Sequence, residues 1–209
     1  DQPPNDHDNQ FTVLSKWELR MISTAKTLDR PQTIGEEIAN AISHGVASLG
    51  AIAAIPILVV SAVRNGGTAG IVGASIFGAT LLILYLVSTI YHALPRGKAK
   101  QIFKILDHCA IFLLIAGTYT PVTLGVLRGS WGWSLFGIVW GLAVFGIFLK
   151  TVCRTRYQRL STGLYLAMGW LVVVAAQPLL SSVAVPGLLW LLAGGLAYTV
   201  GIVFYFIDS

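Results

Sequence analysis

Six long stretches of the chain carry almost nothing but apolar side chains. They run from Glu37 to Val63, Ile71 to Leu94, Ile105 to Leu127, Trp131 to Lys150, Leu160 to Leu180 and Val185 to Ile207. About 20 such residues in a helix cross the hydrocarbon layer of a bilayer. Only helices and closed barrels satisfy their own backbone there. The stretches lack the alternation of barrel strands, so the pattern predicts an all-α, polytopic transmembrane helix bundle. Short breaks separate the stretches: Asn65-Gly66-Gly67, Pro95-Arg96-Gly97 and Arg128-Gly129-Ser130, with Pro186 opening the sixth. Pro56, Pro121 and Pro178 fall inside stretches and are expected to kink them. The steps Gly70-xxx-Ala74, Ala74-xxx-Gly78 and Gly137-xxx-Gly141 suit close helix packing.

Residues 1–36 are different in kind. They are polar, with Pro3-Pro4, Asp6 and Asp8 near the start. This segment is expected to be partly disordered, with a weak surface helix over Phe11 to Thr27 and no signal-peptide organisation. The transmembrane domain then occupies residues 37–207.

Composition sharpens the picture. The 209 residues are 55% hydrophobic and 11% charged, against about 25% charged in a soluble domain. That excludes a soluble enzyme and a nucleic-acid-binding domain. Two cysteines, Cys109 and Cys153, give no disulfide framework. The net charge of +5 matters through its placement. Lys16, Arg20, Lys26 and Arg30 precede span one. Arg96, Lys98, Lys100 and Lys104 follow span two, and Lys150, Arg154, Arg156 and Arg159 follow span four. Only Arg64 and Arg128 fall on the other side. The positive-inside rule therefore places the N-terminus in the cytoplasm. Trp131 and Trp133 fall where the opposite interfacial belt is expected. Membrane lipids are the expected partners, including anionic headgroups at the basic loops; no nucleic acid is expected.

Ionisable groups inside spans are costly and mark functional candidates. Glu37, Asn40 and His44 share one face of span one, at i, i+3 and i+7. Ser88 and His92 share a face of span two. Asp107 and His108 are adjacent in span three and cannot share a direction. At 1.5 Å per residue, His92 lies about 6 Å and Asp107 about 4.5 Å from the basic boundary, with His44 about 10 Å beyond Glu37. Three spans thus present polar groups at similar depth in one leaflet, and nothing comparable is read in spans four and five. Imidazole with carboxylate is a common zinc environment. The same groups also suit plain helix-to-helix hydrogen bonding, above all His44 and Asn40, and His108 reads as interfacial.

These motifs, Glu37-xx-Asn40-xxx-His44, Ser88-Thr89-Ile90-Tyr91-His92, Leu106-Asp107-His108-Cys109-Ala110-Ile111, Gly117-Thr118-Tyr119-Thr120-Pro121 and Tyr165-Leu166-Ala167-Met168-Gly169-Trp170, resemble the bacterial hemolysin III family. That family belongs to the progestin and adipoQ receptor superfamily. The resemblance covers about residues 33–207. It implies a bacterial inner-membrane protein of seven helices with a cytoplasmic N-terminus, and an intramembrane zinc near the cytoplasmic face. His92 would be one zinc ligand, with two more from a His-xxx-His motif on helix seven. Asp107 would approach the metal through a water and Ser88 would support the site, both as catalytic residues. Glu37, Asn40 and His44 match the family's first motif.

Six of the seven implied helices are read before Ser209, and one of the three implied ligands. The chain as it stands is therefore expected to hold zinc weakly and to be inactive. Three functions compete: a zinc-dependent hydrolase of lipid amides or esters, a non-enzymatic lipid-sensing or membrane-homeostasis protein, and a cytolytic activity. A dedicated pore is disfavoured, because the polarity is confined to one leaflet.

Overall fold

The computed structural model describes residues 32–153 and 158–207. The expected disorder and surface helix of the N-terminal segment lie outside the described residues, as do Arg154 and Arg156. Among the described residues there is no strand, and six helical spans are long and apolar enough to cross a membrane. The protein is a multi-pass membrane protein.

Span one is α1 (Ile34–Asn65). Thr33 caps it: its hydroxyl accepts from the Glu36 amide, and Glu36 answers by accepting from the Thr33 amide. This capping box satisfies two otherwise orphaned donors and starts the helix three residues before the apolar run. Gly67, at φ +59°, turns the chain into span two, α2 (Gly67–Ala93). Only glycine adopts that backbone without strain.

Span three is α3 (Lys98–Pro121) followed by a π-helical segment, Val122–Leu127. It begins seven residues before the apolar run at Ile105. Lysines propagate a helix well, so hydropathy marks the lipid-facing centre of a span and misses its ends. Arg128 (φ 43°) and Gly129 (φ 58°) reverse the chain into span four, α4 (Gly129–Cys153). Span five comprises α5 (Gln158–Trp170), a 3-10 turn (Leu171–Ala175) and α6 (Ala176–Ser182). Span six is α7 (Val185–Ile207).

The spans pack in sequence: α1 on α2, α2 on α3, α3 on α4. Helix α5 leans on both α3 and α4, and α7 packs on α5. Absent side chains set the closest approaches. A Cβ on Gly73 would sit 2.6 Å from Pro121 Cα, and one on Gly78 would sit 2.7 Å from Ile55. One on Gly117 would overlap the Thr80 hydroxyl, and one on Gly146 the Phe112 ring. The expected small-residue contact at Gly137-xxx-Gly141 is not found: a Cβ at either position meets nothing within 4 Å. The spacing alone does not say which face meets protein and which meets lipid.

Fully buried Phe112, Ala116, Val139, Ala143, Met168 and Ala175 form the core where α3, α4 and span five meet. Span six is the opposite case: no residue in its most apolar stretch is buried.

Candidate functional site

Glu37, on the first turn of α1, reaches both neighbouring spans. Its Oε2 pairs with His92 Nδ1 at 2.8 Å, and its Oε1 with Lys100 Nζ at 2.9 Å. A carboxylate only accepts hydrogen bonds, so Nδ1 carries the hydrogen and donates it. The other ring nitrogen, Nε2, is the one that Glu37 does not engage. Lys100 supplies the opposite charge to Glu37. It also donates to the carbonyls of Tyr91 (3.0 Å) and Leu94 (3.1 Å), at the C-terminal end of α2. Its ammonium lies 4.8 Å from the centroid of the Tyr91 ring. A cation is favoured at a helix C-terminus and over an aromatic face, so one lysine closes α2 and fixes the carboxylate that orients His92. The three partners are 8 to 20% exposed.

One turn and more deeper, the His44 ring stacks on His92, with centroids 5.7 Å apart and planes 3° from parallel. Tyr85 closes the far side of His44 at 5.9 Å. The His44 carbonyl takes the hydroxyl of buried Ser48. Asn40 is half-buried on the same helix. Its carbonyl accepts from Ser43, and its side chain makes no hydrogen bond among the described residues.

Ser88 is buried on α2, beside the Asp107 carboxyl of α3. Asp107 also lies close enough to His92 for the two to interact electrostatically. The backbone of His108 is tied to span five: its carbonyl accepts from the Tyr165 hydroxyl of α5 at 2.9 Å.

The structure thus brings together Glu37, His44 and His92, and joins Ser88 with Asp107 beside them. It adds Lys100, which the sequence presented only as one of several loop cations. A lysine one turn into a helix at a basic boundary carries no local sign that a carboxylate 63 residues away holds it.

The expectation that spans four and five carry nothing comparable is corrected. Lys150 at the end of α4 is 2% exposed, and Ser161 and Thr162 at the start of α5 are 3% and 4% exposed. Buried Cys109 lies within electrostatic reach of Lys150. Hydropathy misses these residues because they sit at span ends, where polar residues are ordinary.

A metal-bound histidine characteristically donates its second ring N–H to a carboxylate. The Glu37–His92 pair has that form, so the chemistry of this one donor suits zinc. The number of donors does not: a catalytic zinc takes three protein ligands. Among the described residues no three His, Cys, Asp or Glu side chains are grouped to hold an ion.

A family model described as Haemolysin-III related matches residues 32–208. The chain is 43% identical over 182 residues to "Hemolysin-3" of Bacillus cereus, spanning 87% of this chain and 83% of that protein. It is 47% identical over 173 residues to "Hemolysin-3 homolog" of Bacillus subtilis (strain 168), spanning 83% and 81%. A more distant likeness, 28% over 145 residues, is to "Monocyte to macrophage differentiation factor" of Homo sapiens, covering 65% of this chain and 58% of that protein. No solved structure matches the chain significantly.

Proposed function

The chain belongs to the Haemolysin-III related family, and from that premise we propose that its polar cluster is an intramembrane hydrolytic centre acting on lipid amides or esters. The basic end of the bundle faces the cytoplasm of a bacterial cell, with the protein in the inner membrane. The observation that carries this reading is the orientation of His92. A carboxylate, itself matched by Lys100, engages Nδ1 and turns the ring so that Nε2 lies away from it; in the neutral ring Nε2 would be the nitrogen to ligate a metal. In lipid such an arrangement is costly, and plain helix adhesion needs none of its specificity.

His92 is the described residue whose setting suits zinc. Zinc held there would supply a water activated near neutral pH. This chain's own residues do the rest. Glu37 fixes the imidazole. Ser88 flanks the Asp107 carboxyl, which accepts a proton at Oδ from a water beside it and returns it to the departing amine or alkoxide. The stack of His44 on His92 excludes lipid and water from one face of the ring.

The test is metal content and product release from full-length protein in liposomes of lipid amides and esters. Bound zinc and turnover are expected in the wild type, with both lost in His92→Ala. Equal zinc and equal turnover in the variant would overturn the proposal.

The printed names of the relatives suggest lysis as a second reading. The surface favours a non-specific origin for it, since Ile42, Leu49, Trp190, Leu192 and Phe204 expose apolar side chains on spans one and six. Liposome leakage would then follow protein dose and ignore His92→Ala and Asp107→Asn.

A further inference from the structure

Two of the motifs, Gly117-Thr118-Tyr119-Thr120-Pro121 in span three and Tyr165-Leu166-Ala167-Met168-Gly169-Trp170 in span five, have no part in the site described above. The structure joins them to each other. Tyr119 donates its hydroxyl to the carbonyls of Met168 (2.8 Å) and Gly169 (3.0 Å), and accepts from the amide of Val172 (2.7 Å). These three groups flank the change from α to 3-10 geometry at Trp170–Leu171. A helix break leaves backbone groups without their usual partners, and in lipid each must find another. One phenol serves them all.

Tyr165 does the converse. It rises from α5 and donates to the carbonyl of His108 in α3. A helix carbonyl has a second lone pair, so this bond adds to the helix ladder. His108 directly follows Asp107. The Tyr165 ring packs 4.3 Å from Phe112, which is fully buried. The ring and its hydroxyl therefore have separable roles.

We propose that Tyr165 and Tyr119 are positioning residues for Asp107: a reciprocal clasp, each phenol on the other span's backbone, that sets span five against span three and holds the peptide next to the Asp107 carboxyl. This inference rests on Asp107 belonging to the working site. Tyr165 is the near point of the clasp. Tyr119 is the far point, and it fixes the register of span five by holding its break. Without the Tyr165 hydroxyl, the Asp107–His108 segment loses this tie from span five, and the carboxyl samples positions away from Ser88.

The experiment uses dicyclohexylcarbodiimide, which partitions into bilayers and attacks intramembrane carboxyls. The full chain is labelled in membranes, and the adduct on Asp107 is quantified by mass spectrometry with Glu37 as internal reference. Ser88→Ala is expected to speed labelling of Asp107. Tyr165→Phe, which keeps the ring, is expected to speed it about fivefold, as the loss of one ordinary hydrogen bond implies. Tyr119→Phe gives a smaller rise, and Trp170→Phe, which breaks a bond to span six, gives none. Thermal melting of Tyr165→Phe and Trp170→Phe should be similar, so a difference in labelling reports position and not stability. Should Tyr165→Phe fail to accumulate, Tyr119→Phe carries the test. If Ser88→Ala leaves labelling unchanged, the reading of Asp107 as a site residue fails. If Ser88→Ala speeds labelling while the tyrosine variants do not, the clasp fails and the site stands.

Discussion

The interface of spans one, two and three differs from the edge formed by spans five and six in how each satisfies polarity. In the first, the Glu37–Lys100 ion pair with His92 on the same carboxylate, and Ser88 beside Asp107, are set between helices held close by glycines. In the second, a neutral bond from Trp170 Nε1 to the Thr199 hydroxyl at 3.0 Å links the spans. Span six otherwise turns large apolar side chains outward. A neutral hydrogen bond can be lost to lipid at small cost. A charge without its partner cannot. The charged groups are therefore kept where neighbouring spans can pair them, and the lipid-facing edge carries polarity that can be spared.

Several substitutions break or sharpen that contrast. The largest effect is expected at Gly117, where any Cβ overlaps Thr80. Gly117→Val should cost about 3 kcal/mol by overpacking, read as a lowered melting temperature in detergent. Gly141→Ala, with open space around its Cβ position, should be nearly silent. Next is Glu37→Gln, which strips the charge that Lys100 and His92 answer. Loss of hydrogen bonds to a charged group predicts about 2 kcal/mol. Adding Lys100→Met should recover part of it, since the stranded cation carries much of the penalty. A double-mutant cycle on unfolding free energy measures this.

Tyr119→Phe should cost about 1 kcal/mol and raise hydrogen exchange at the Val172 amide. Trp170→Phe should be smallest, near 0.6 kcal/mol, visible as a slight loss of melting temperature. Were Trp170→Phe to equal Glu37→Gln, the contrast between the two regions would be wrong.

Much of this was legible in the sequence. The six spans follow from hydropathy. The meeting of Glu37, His44 and His92 follows from helical spacing and depth below a basic boundary, both local quantities. Lys100 was hidden because its role depends on a partner in another span, and the same residue type at the same depth usually faces water. The irregularity of span five was legible in part, from Pro178, which displaces the carbonyl of Val174 four residues before it; its start at Leu171 was not. Leu171-Val172-Val173-Val174-Ala175 contains no glycine or proline, and Pro178 lies past it. The break is held by Tyr119, roughly 50 residues earlier. Lys150, Ser161 and Thr162 fell at the ends of predicted spans, where polar residues are ordinary, yet the fold buries them. The tight glycines were half legible: Gly78 stood in a predicted small-residue step, whereas Gly117 and Gly146 did not.

The account depends most directly on the state of one imidazole ring. Nitrogen-15 NMR of the His92 side chain, in isotope-labelled protein in bilayers, reads the protonation of each ring nitrogen. The account predicts a protonated Nδ1 and an unprotonated or metal-bound Nε2, with the pattern lost in Glu37→Gln. A ring protonated only at Nε2, or one indifferent to Glu37→Gln, would contradict it.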